Sequence, residues 1–461
     1  MVLSSNADLR TRLAALDASI AELRLRLKGL EDLRRPIQRQ LDYIIYPVLT
    51  LPPEITSHIF LHCLPHPLPG LDDCDKYAPN TKLVPLLLLQ VCRTWRDIVL
   101  STPYLWNSLH LGRGMFLGAD IAKIVADWFD RAGSCPLTFN FHLPRGSRRE
   151  FASPVLHGLA PRIQTLGLHL GAVDSKDLIG IGPFPILESL AISYRWSPSF
   201  ELPLELFTAP RLRHISLTRY ARPRMFVIPH DVYTVACAAP ITVNESLDVL
   251  QGHPFLKELK INCYLGYRDT TSRTEIVTHN NLETLHLVSG ASVLRLSRLP
   301  ALQNLHLSGE LDNNDGDLLP AFLAFTSLRY FRTDHRITSL SVEWFTAMSG
   351  LVDVELCAPE YQFFCDFFAR MDRTKDSGFL PHLRTLVFRD CACQLDASAL
   401  RALSSRSTSD DKTTKLESFQ IWLARKIALI SWDDDLTIAA CRELVRQGMA
   451  VYVGAEGQNF V

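Results

Sequence analysis

His58 and His62 stand four residues apart, with Cys63 next in line and His66 beyond. On a helix that spacing puts two imidazoles on one face, where they could chelate a metal. The residues between them are Ile59, Phe60 and Leu61, so the glutamate of a zinc-hydrolase helix is missing. The pair reads as polar positions on an amphipathic helix. The run Asp312-Asn313-Asn314-Asp315-Gly316-Asp317 resembles a calcium loop, but its glycine comes one place early and position twelve is Leu323. It reads as a turn. Asp433, Asp434 and Asp435 suit the start of a helix better than an ion site. Gly112-x-Gly114-x3-Gly118 has its third glycine one residue late for a dinucleotide loop. Cys391-x-Cys393 lacks the second cysteine pair of a zinc site. There is no phosphate-binding loop and no G-x-S-x-G elbow. No catalytic residue, metal ligand or cofactor is assigned.

Chemistry of recognition is better represented. The pattern L-x-x-L-x-L recurs from Ile163, Leu187, Leu212, Leu256, Leu282, Leu302, Leu328, Leu351, Leu383 and Leu416. The copy at Leu328 is degenerate, and the long gap between Leu212 and Leu256 predicts a weak unit at Val232. Two upstream strands are expected around "NSLHL" and "FHL". A period in the twenties with this core is a leucine-rich-repeat signature, in which each unit gives a short strand and a return segment. Side chains alternate along a strand, so the leucines face a core and the residues between them face outward. The outward set includes His169, Ser193, Ser216, Thr218, Lys260, Asn262, His286, His306 and Ser308. It continues with Arg332, Asp334, Glu355, Arg389, Gln420 and Trp422. Of these, His169, Lys260, Asn262, His286, His306, Arg332, Asp334, Glu355, Arg389 and Trp422 are the candidate substrate-binding residues. Trp422, expected to be exposed, is the type of side chain that anchors interfaces. The asparagine that would follow each unit is missing; its slot holds Gly171, Arg195, Tyr220, Tyr264, Gly290, Glu310 and Cys391.

Composition agrees with a folded, repetitive protein. Leucine makes up 74 of 461 residues, and hydrophobic residues reach 47%. Lys+Arg is 48 against Asp+Glu 49, so no global charge favours nucleic acid or an anionic membrane. The most apolar run, Leu83 to Cys92, is half the length of a membrane span and holds Pro85 and Gln90. The N-terminus lacks the apolar stretch of a signal peptide. The 11 cysteines are odd in number and scattered, as expected of reduced thiols in cytoplasm or nucleus. Ser404 to Lys415 is polar and reads as a loop insertion. The tail reads as a helix capped by Asp435, then a last strand.

Residues 1–46 form a heptad segment. Apolar residues at Leu9, Leu13, Leu16, Ile20, Leu23, Leu27, Leu30, Ile37, Leu41 and Ile44 alternate by fours and threes. Pro36 predicts a break, with one helix to about Arg34 and a second from Pro36. The segment either dimerises as a coiled coil or folds as a helical hairpin on its own chain.

Residues 47–111 carry a family resemblance. Leu51, Pro52, Glu54, Ile55, Ile59 and Phe60, then Val91, Cys92, Trp95, Ile98 and Leu105-Trp106, match LP-x-E-I-x3-IF, a spacer, VC-R/K-x-W-R and a terminal LW. The segment resembles an F-box. Thr50 is expected to cap its first helix, and Val91, Trp95, Ile98 and Val99 to form an apolar stripe on a later one. The spacer from Pro65 to Lys82 is longer than the pattern. The resemblance implies a three-helix unit that docks a Skp-type adaptor through Leu51, Pro52, Ile55, Ile59, Phe60, Val91, Cys92 and Trp95. With residues 112–461, the chain resembles fungal F-box proteins with irregular leucine-rich repeats. The expected fold is α/β: a helical segment, an F-box and a curved repeat solenoid. The implied function is a non-catalytic substrate receptor on a cullin scaffold, binding an unidentified protein. A non-ligase interaction scaffold would need the same surfaces.

Overall fold

The computed structural model describes residues 6–42, 50–64, 82–112, 121–143, 156–170, 183–194, 209–263, 274–290, 292–309, 318–334, 342–407, 415–423, 435–455 and 458–461. His66, the Gly114 and Gly118 turn, Asp312 to Asp317, Asp433 and Asp434, and the side chain of Asp435 lie outside the described residues. Two units emerge, one up to Leu105 and one from Trp106 onward.

In the first unit, helix α1 (Asn6–Asp42) is continuous and contains Pro36. The expected break at Arg34 does not occur. A proline removes one backbone donor and crowds one carbonyl, and a helix of 37 residues retains its bonds on either side. A hairpin within this segment is thereby ruled out. Helix α2 (Pro53–His62) is capped by Pro52, with no side-chain hydrogen bond. Thr50 is therefore not the cap. The Pro52 carbonyl accepts from the amides of Ile55 (3.1 Å) and Thr56 (3.0 Å), and Pro53 brings no amide needing a partner. Helix α3 (Arg93–Leu100) is capped by Cys92, whose Sγ accepts from the Trp95 amide at 3.5 Å. Among the described residues, two α-helices follow α1 in this unit, and the remaining helical pieces are single 3-10 turns, Leu88–Gln90 and Pro103–Leu105.

Among the described residues, the second unit holds a 15-stranded sheet. Its strands are β1 (Ser108–Leu111), β2 (Leu137–Leu143), β3 (Ile163–Leu170), β4 (Ser189–Tyr194), β5 (His214–Arg219), β6 (Thr234–Ile241) and β7 (Glu258–Cys263). A short β8 (Val277–Thr278) pairs separately with β10 (Ser297–Arg298). The main sheet continues through β9 (Thr284–Val288), β11 (Asn304–Ser308), β12 (Tyr330–Thr333), β13 (Asp353–Cys357), β14 (Thr385–Cys391), β15 (Ser418–Leu423), β16 (Ala450–Ala455) and β17 (Gln458–Asn459). Each main-sheet strand lies beside the next one in the chain. The pairing is parallel throughout until the terminal β16–β17 turn-back. Strand β6 fills the long gap between the units at Leu212 and Leu256.

Register explains the leucine pattern. Leu166, Leu190, Ile215, Val235, Leu259, Leu285, Leu305, Phe331, Val354, Leu386 and Phe419 are cross-strand partners in one row, and all are buried. A slip of one residue would turn this whole row to the other face. In the degenerate unit, Thr333 takes a core position, and its Oγ1 accepts from the Cys357 amide at 2.9 Å. Helices return behind the strands, as in Ile121–Arg131, whose Trp128 donates from Nε1 to the Ser108 carbonyl at 3.1 Å. Helix Val243–Gly252 begins with a capping box between Thr242 and Glu245. Helix Tyr361–Met371 contributes Phe364, Phe367 and Phe368, which pack on Phe388 of β14.

A backbone turn recurs at the strand ends. Two residues after the last core side chain of a strand, Arg219, Ser289, Gly309, Ala358 and Asp390 all adopt positive φ, between 44° and 82°. Only one of the five is glycine, so no residue type announces the turn. Another departure concerns Ser404 to Ser407, read as part of a loop. They close the helix Ala397–Ser407, with Arg406 and Ser407 buried. Residues 408–414 lie outside the described set.

Candidate functional site

Two surfaces carry the sequence-derived candidates. In the first unit, Leu51 is 37% exposed, Ile55 51%, Ile59 43% and Val91 54%. Ile55 and Ile59 are one helical turn apart on α2 and share a face. Pro52 is also exposed. Phe60 and Trp95 behave differently. Phe60 is buried and meets the Trp95 ring edge-on at 4.9 Å, while Cys92 is engaged as the cap of α3. The Phe60–Trp95 contact joins α2 to α3; Phe60 is buried, whereas Cys92 and Trp95 remain partly accessible. Of the expected stripe on α3, Ile98 and Val99 are buried and Val91 is exposed. His58 and His62 meet Nε2 to Nε2 at 3.3 Å on the exposed side of α2, with no third metal-capable ligand beside them among the described residues.

In the second unit, the face of the sheet opposite the leucines is polar. One cross-strand row runs Lys260, His286, His306, Arg332 and Glu355. Lys260 is exposed, and Asn262 donates from Nδ2 to the Ala238 carbonyl at 3.4 Å. The imidazoles of His286 and His306 stack with centroids 3.9 Å apart. His286 Nε2 lies 2.8 Å from Ser308 Oγ, and His306 Nε2 lies 2.6 Å from Asp334 Oδ2. Arg332 donates to Asp334 Oδ1 from Nε at 2.8 Å, and its Nη2 lies 2.7 Å from the same oxygen. Its Nη1 sits 3.6 Å from Glu355 Oε2, which also accepts from the Tyr330 hydroxyl at 3.2 Å. Arg389 donates to Glu355 Oε1 and lays its guanidinium over Trp422 at 5.5 Å. Trp422 packs on Tyr452 of β16 with centroids 4.4 Å apart. A connected polar and aromatic strip therefore crosses β9 to β16.

Several placements correct the sequence reading. His169 is buried beside His142, their rings 6.0 Å apart, and Glu355 is buried under its partners. Trp422 is half-buried rather than exposed, because β16 brings Tyr452 against it. The polar face also contains residues that the reading missed. The position before the first core residue of each strand faces the same side, giving Thr165, Ser189, His214, Thr234, Glu258, Thr284, Asn304 and Tyr330 in one row. Asn304 Nδ2 donates to Thr284 Oγ1 at 3.0 Å across it. The recurring serine and threonine at that place was the available signal.

Electrostatics set the protonation of the strip. Burial, then the neighbouring His306 and Lys260, push His286 down to about 4. Burial also lowers His306, and with Arg332 and Lys260 it outweighs the pull of Asp334. At neutral pH His306 is therefore uncharged and donates Nε2–H to Asp334. Burial works to raise Asp334, but the hydrogen bond from Arg332 and the charges nearby hold it below the usual carboxylate range. Ser308, His306 and Asp334 are not a nucleophile relay. Ser308 Oγ and Asp334 both address Nε2 of His306, whereas a relay needs the acid on the opposite ring nitrogen. His286, His306 and Asp334 form the one group of three metal-capable ligands among the described residues, with donor atoms within 4.8 Å. Arg332 on Asp334 and the nearby Lys260 add positive charge where a dication would sit. Cys391 and Cys393 are buried thiols that donate to the carbonyls of Cys393 and Pro359. No described helix is long and apolar enough to cross a membrane.

A protein from Bacteroides fragilis of solved structure shares 13% identity, with 62% of this chain and 70% of that chain covered, at a TM-score of 0.30. A likeness that slight carries no argument. No curated protein matches the chain. The family model that matches is F-box-like, over residues 48–112, which include Leu51, Ile55, Ile59 and Val91. The chain thus carries an F-box-like domain, a module that docks Skp-type adaptors.

Proposed function

We propose that this chain is the substrate-recognition subunit of a cullin-based, SCF-type ubiquitin ligase. The observation that carries the reading is that Leu51, Ile55, Ile59 and Val91 are all exposed apolar residues within the F-box-like match. Several large exposed apolar side chains on a small helical unit call for a partner. Leu51, Pro52, Ile55, Ile59 and Val91 make the adaptor contact, and Phe60, Cys92 and Trp95 hold those helices in position. The parallel sheet is a leucine-rich-repeat solenoid: its strands follow chain order, and its core rows are the recurring leucines. Its polar face holds a protein substrate, through Lys260, Asn262, His286, His306, Arg332, Asp334, Arg389 and Trp422. Catalysis belongs to the rest of the complex. The receptor contributes proximity, raising the substrate's concentration near the ubiquitin-charged enzyme. Such a subunit works in cytoplasm or nucleus.

The test is co-purification of the full chain with a Skp-type adaptor and a cullin, beside a Leu51→Ala, Pro52→Ala variant. Stoichiometric adaptor with wild type, lost in the variant, is the expected result. Adaptor without cullin would replace the ligase reading with a non-ligase interaction scaffold. Absence of adaptor from both would overturn both adaptor-dependent readings.

A further inference from the structure

Helix α1 presents an apolar seam that no described residue covers. Its seam positions recur every seven residues, one set from Leu9 to Ile37 and the other from Leu13 to Leu41. The apolar members are each 45% to 64% exposed. A continuous seam of this kind on a 37-residue helix is a coiled-coil surface. We propose that α1 of two chains pairs as a parallel, in-register, two-stranded coiled coil, making the protein a homodimer. This inference stands apart from the ligase reading.

The flanking charges choose the partner and the orientation. In a parallel pair, each residue just before the Leu13-set seam position faces the residue five places later on the other helix. Arg12 then meets Asp17 of the second copy, and Arg26 meets Glu31. Ser19 meets Arg24 and Leu33 meets Gln38, so no like charges oppose. An antiparallel pair with full seam overlap would bring Asp17 against Glu31, Arg24 against Arg24 and Arg26 against Arg26. All three contacts are repulsive. Arg26 already lies 2.8 Å from Glu22 of its own helix, but both side chains are exposed and free to exchange partners. Arg34 occupies a seam position between Leu30 and Ile37. A charged seam residue is tolerated in register with its own copy where the side chain can reach water, which two strands allow and larger bundles resist. Paired copies would give two recognition surfaces on one molecule, and so avidity for a partner that carries repeated sites.

The experiment is light scattering on the full chain during size exclusion at micromolar concentration. Wild type is expected at twice the 52.0 kDa chain mass. Reversing two charges in Arg12→Glu, Arg26→Glu should weaken self-association on the order of tenfold, by making attractive flanking pairs repulsive. Mixing that variant with an Asp17→Arg, Glu31→Arg chain should restore a dimer of one copy of each. These side chains are exposed, and an unchanged circular dichroism spectrum separates lost pairing from lost folding. Orientation is read by Leu13→Cys, which in a parallel dimer oxidises to a disulfide with its own copy above the wild-type background. A wild-type monomer or trimer would overturn the proposal. So would indifference to charge reversal, or cross-linking only when Leu13→Cys is mixed with Ile37→Cys.

Discussion

The imidazoles of His286 and His306 lie face to face on neighbouring strands, 3.9 Å apart, with an interplanar angle of 12°. Two stacked rings at that distance tolerate one positive charge poorly and two hardly at all. Lys260 and Arg332 add to the effect on both. The arrangement is therefore one of neutral histidines, and it ties the sheet's polar face to pH.

Stability is expected to fall on acidification, chiefly between about 6.5 and about 4. His286 and His110 both have folded pKa values of about 4 against an ordinary 6.5. Between those values the unfolded chain binds more protons, so stability drops as pH falls through the window and is fully present above it. His110 is buried, accepts at Nδ1 from Asn140 at 2.9 Å, and accounts for on the order of 3 kcal/mol of this loss. His286, only half-buried, contributes less. Melting temperature measured from pH 7.5 to 4.5 checks the slope. A His110→Gln, His286→Gln variant should show a shallower one, and an equal slope in both proteins would refute the assignment.

Arg406 is the buried charge on which the C-terminal helices depend. It has no exposed surface and donates to the carbonyls of Met371 (2.9 Å), Leu380 (2.7 Å) and Phe379. Burial, then Arg373, lowers it to about 10, so it remains charged at neutral pH. Arg406→Met removes every donor, taking the hydrogen bonds of Met371 and Phe379 and leaving the Leu380 carbonyl only the Leu383 amide, at a cost of about 3 kcal/mol or more. Arg406→Lys should fall between, because an ammonium lacks the planar fork that reaches all three. Urea denaturation midpoints of the three proteins give the ranking.

Most of the sheet was legible, and the reasons are physical. A parallel strand carries its core residues at period two, so Leu285 and Leu287 reveal the strand that holds them. The same alternation puts His286, His306, Arg332 and Glu355 on one face. What alternation cannot convey is depth. His169 and Glu355 share the outward pattern yet are buried, because neighbouring side chains on adjacent strands cover them. Nor does it convey that the last strand sets Tyr452 against Trp422, a side chain that the alternation alone leaves bare. The positive-φ turns escaped for another reason. Arg219, Ser289, Ala358 and Asp390 are forced into that region by the return of the chain, and none favours it as glycine does. In the F-box-like unit, Phe60 and Ile59 are adjacent and equally apolar, and only the rotation of α2 separates core from surface.

Two glycines test the turn geometry. Gly290 has φ +74°, and a Cβ there would stand 2.2 Å from Cys263 Cβ. Gly309 has φ +82°, but its nearest obstacle is the rotatable Ser289 Oγ at 2.7 Å. Gly309→Ala is therefore expected to cost about 1–2 kcal/mol from backbone strain. Gly290→Ala adds an overlap that only movement of β7 can relieve, and should cost about 1–3 kcal/mol more. Equal destabilisation in thermal melts would mean that β7 yields without cost.

Neighbouring residues on α2 separate folding from docking. Ile59 is 43% exposed and Phe60 2%, so the two side chains answer to different demands. Ile59→Asp introduces a charge that water already reaches, and should leave the melting temperature within about 1 °C of wild type, in line with surface substitutions. The same charge lands on the proposed adaptor surface, where it would be desolvated without a counter-ion, so adaptor affinity should drop by about 100-fold or more. Phe60→Ala removes the ring that meets Trp95 at 4.9 Å. It should destabilise the unit by about 3–5 kcal/mol and weaken adaptor binding only by unfolding it. Calorimetric titration of the adaptor, paired with a melt of each variant, distinguishes the cases. If Ile59→Asp bound normally while folded, the exposed row on α2 would not be the docking surface.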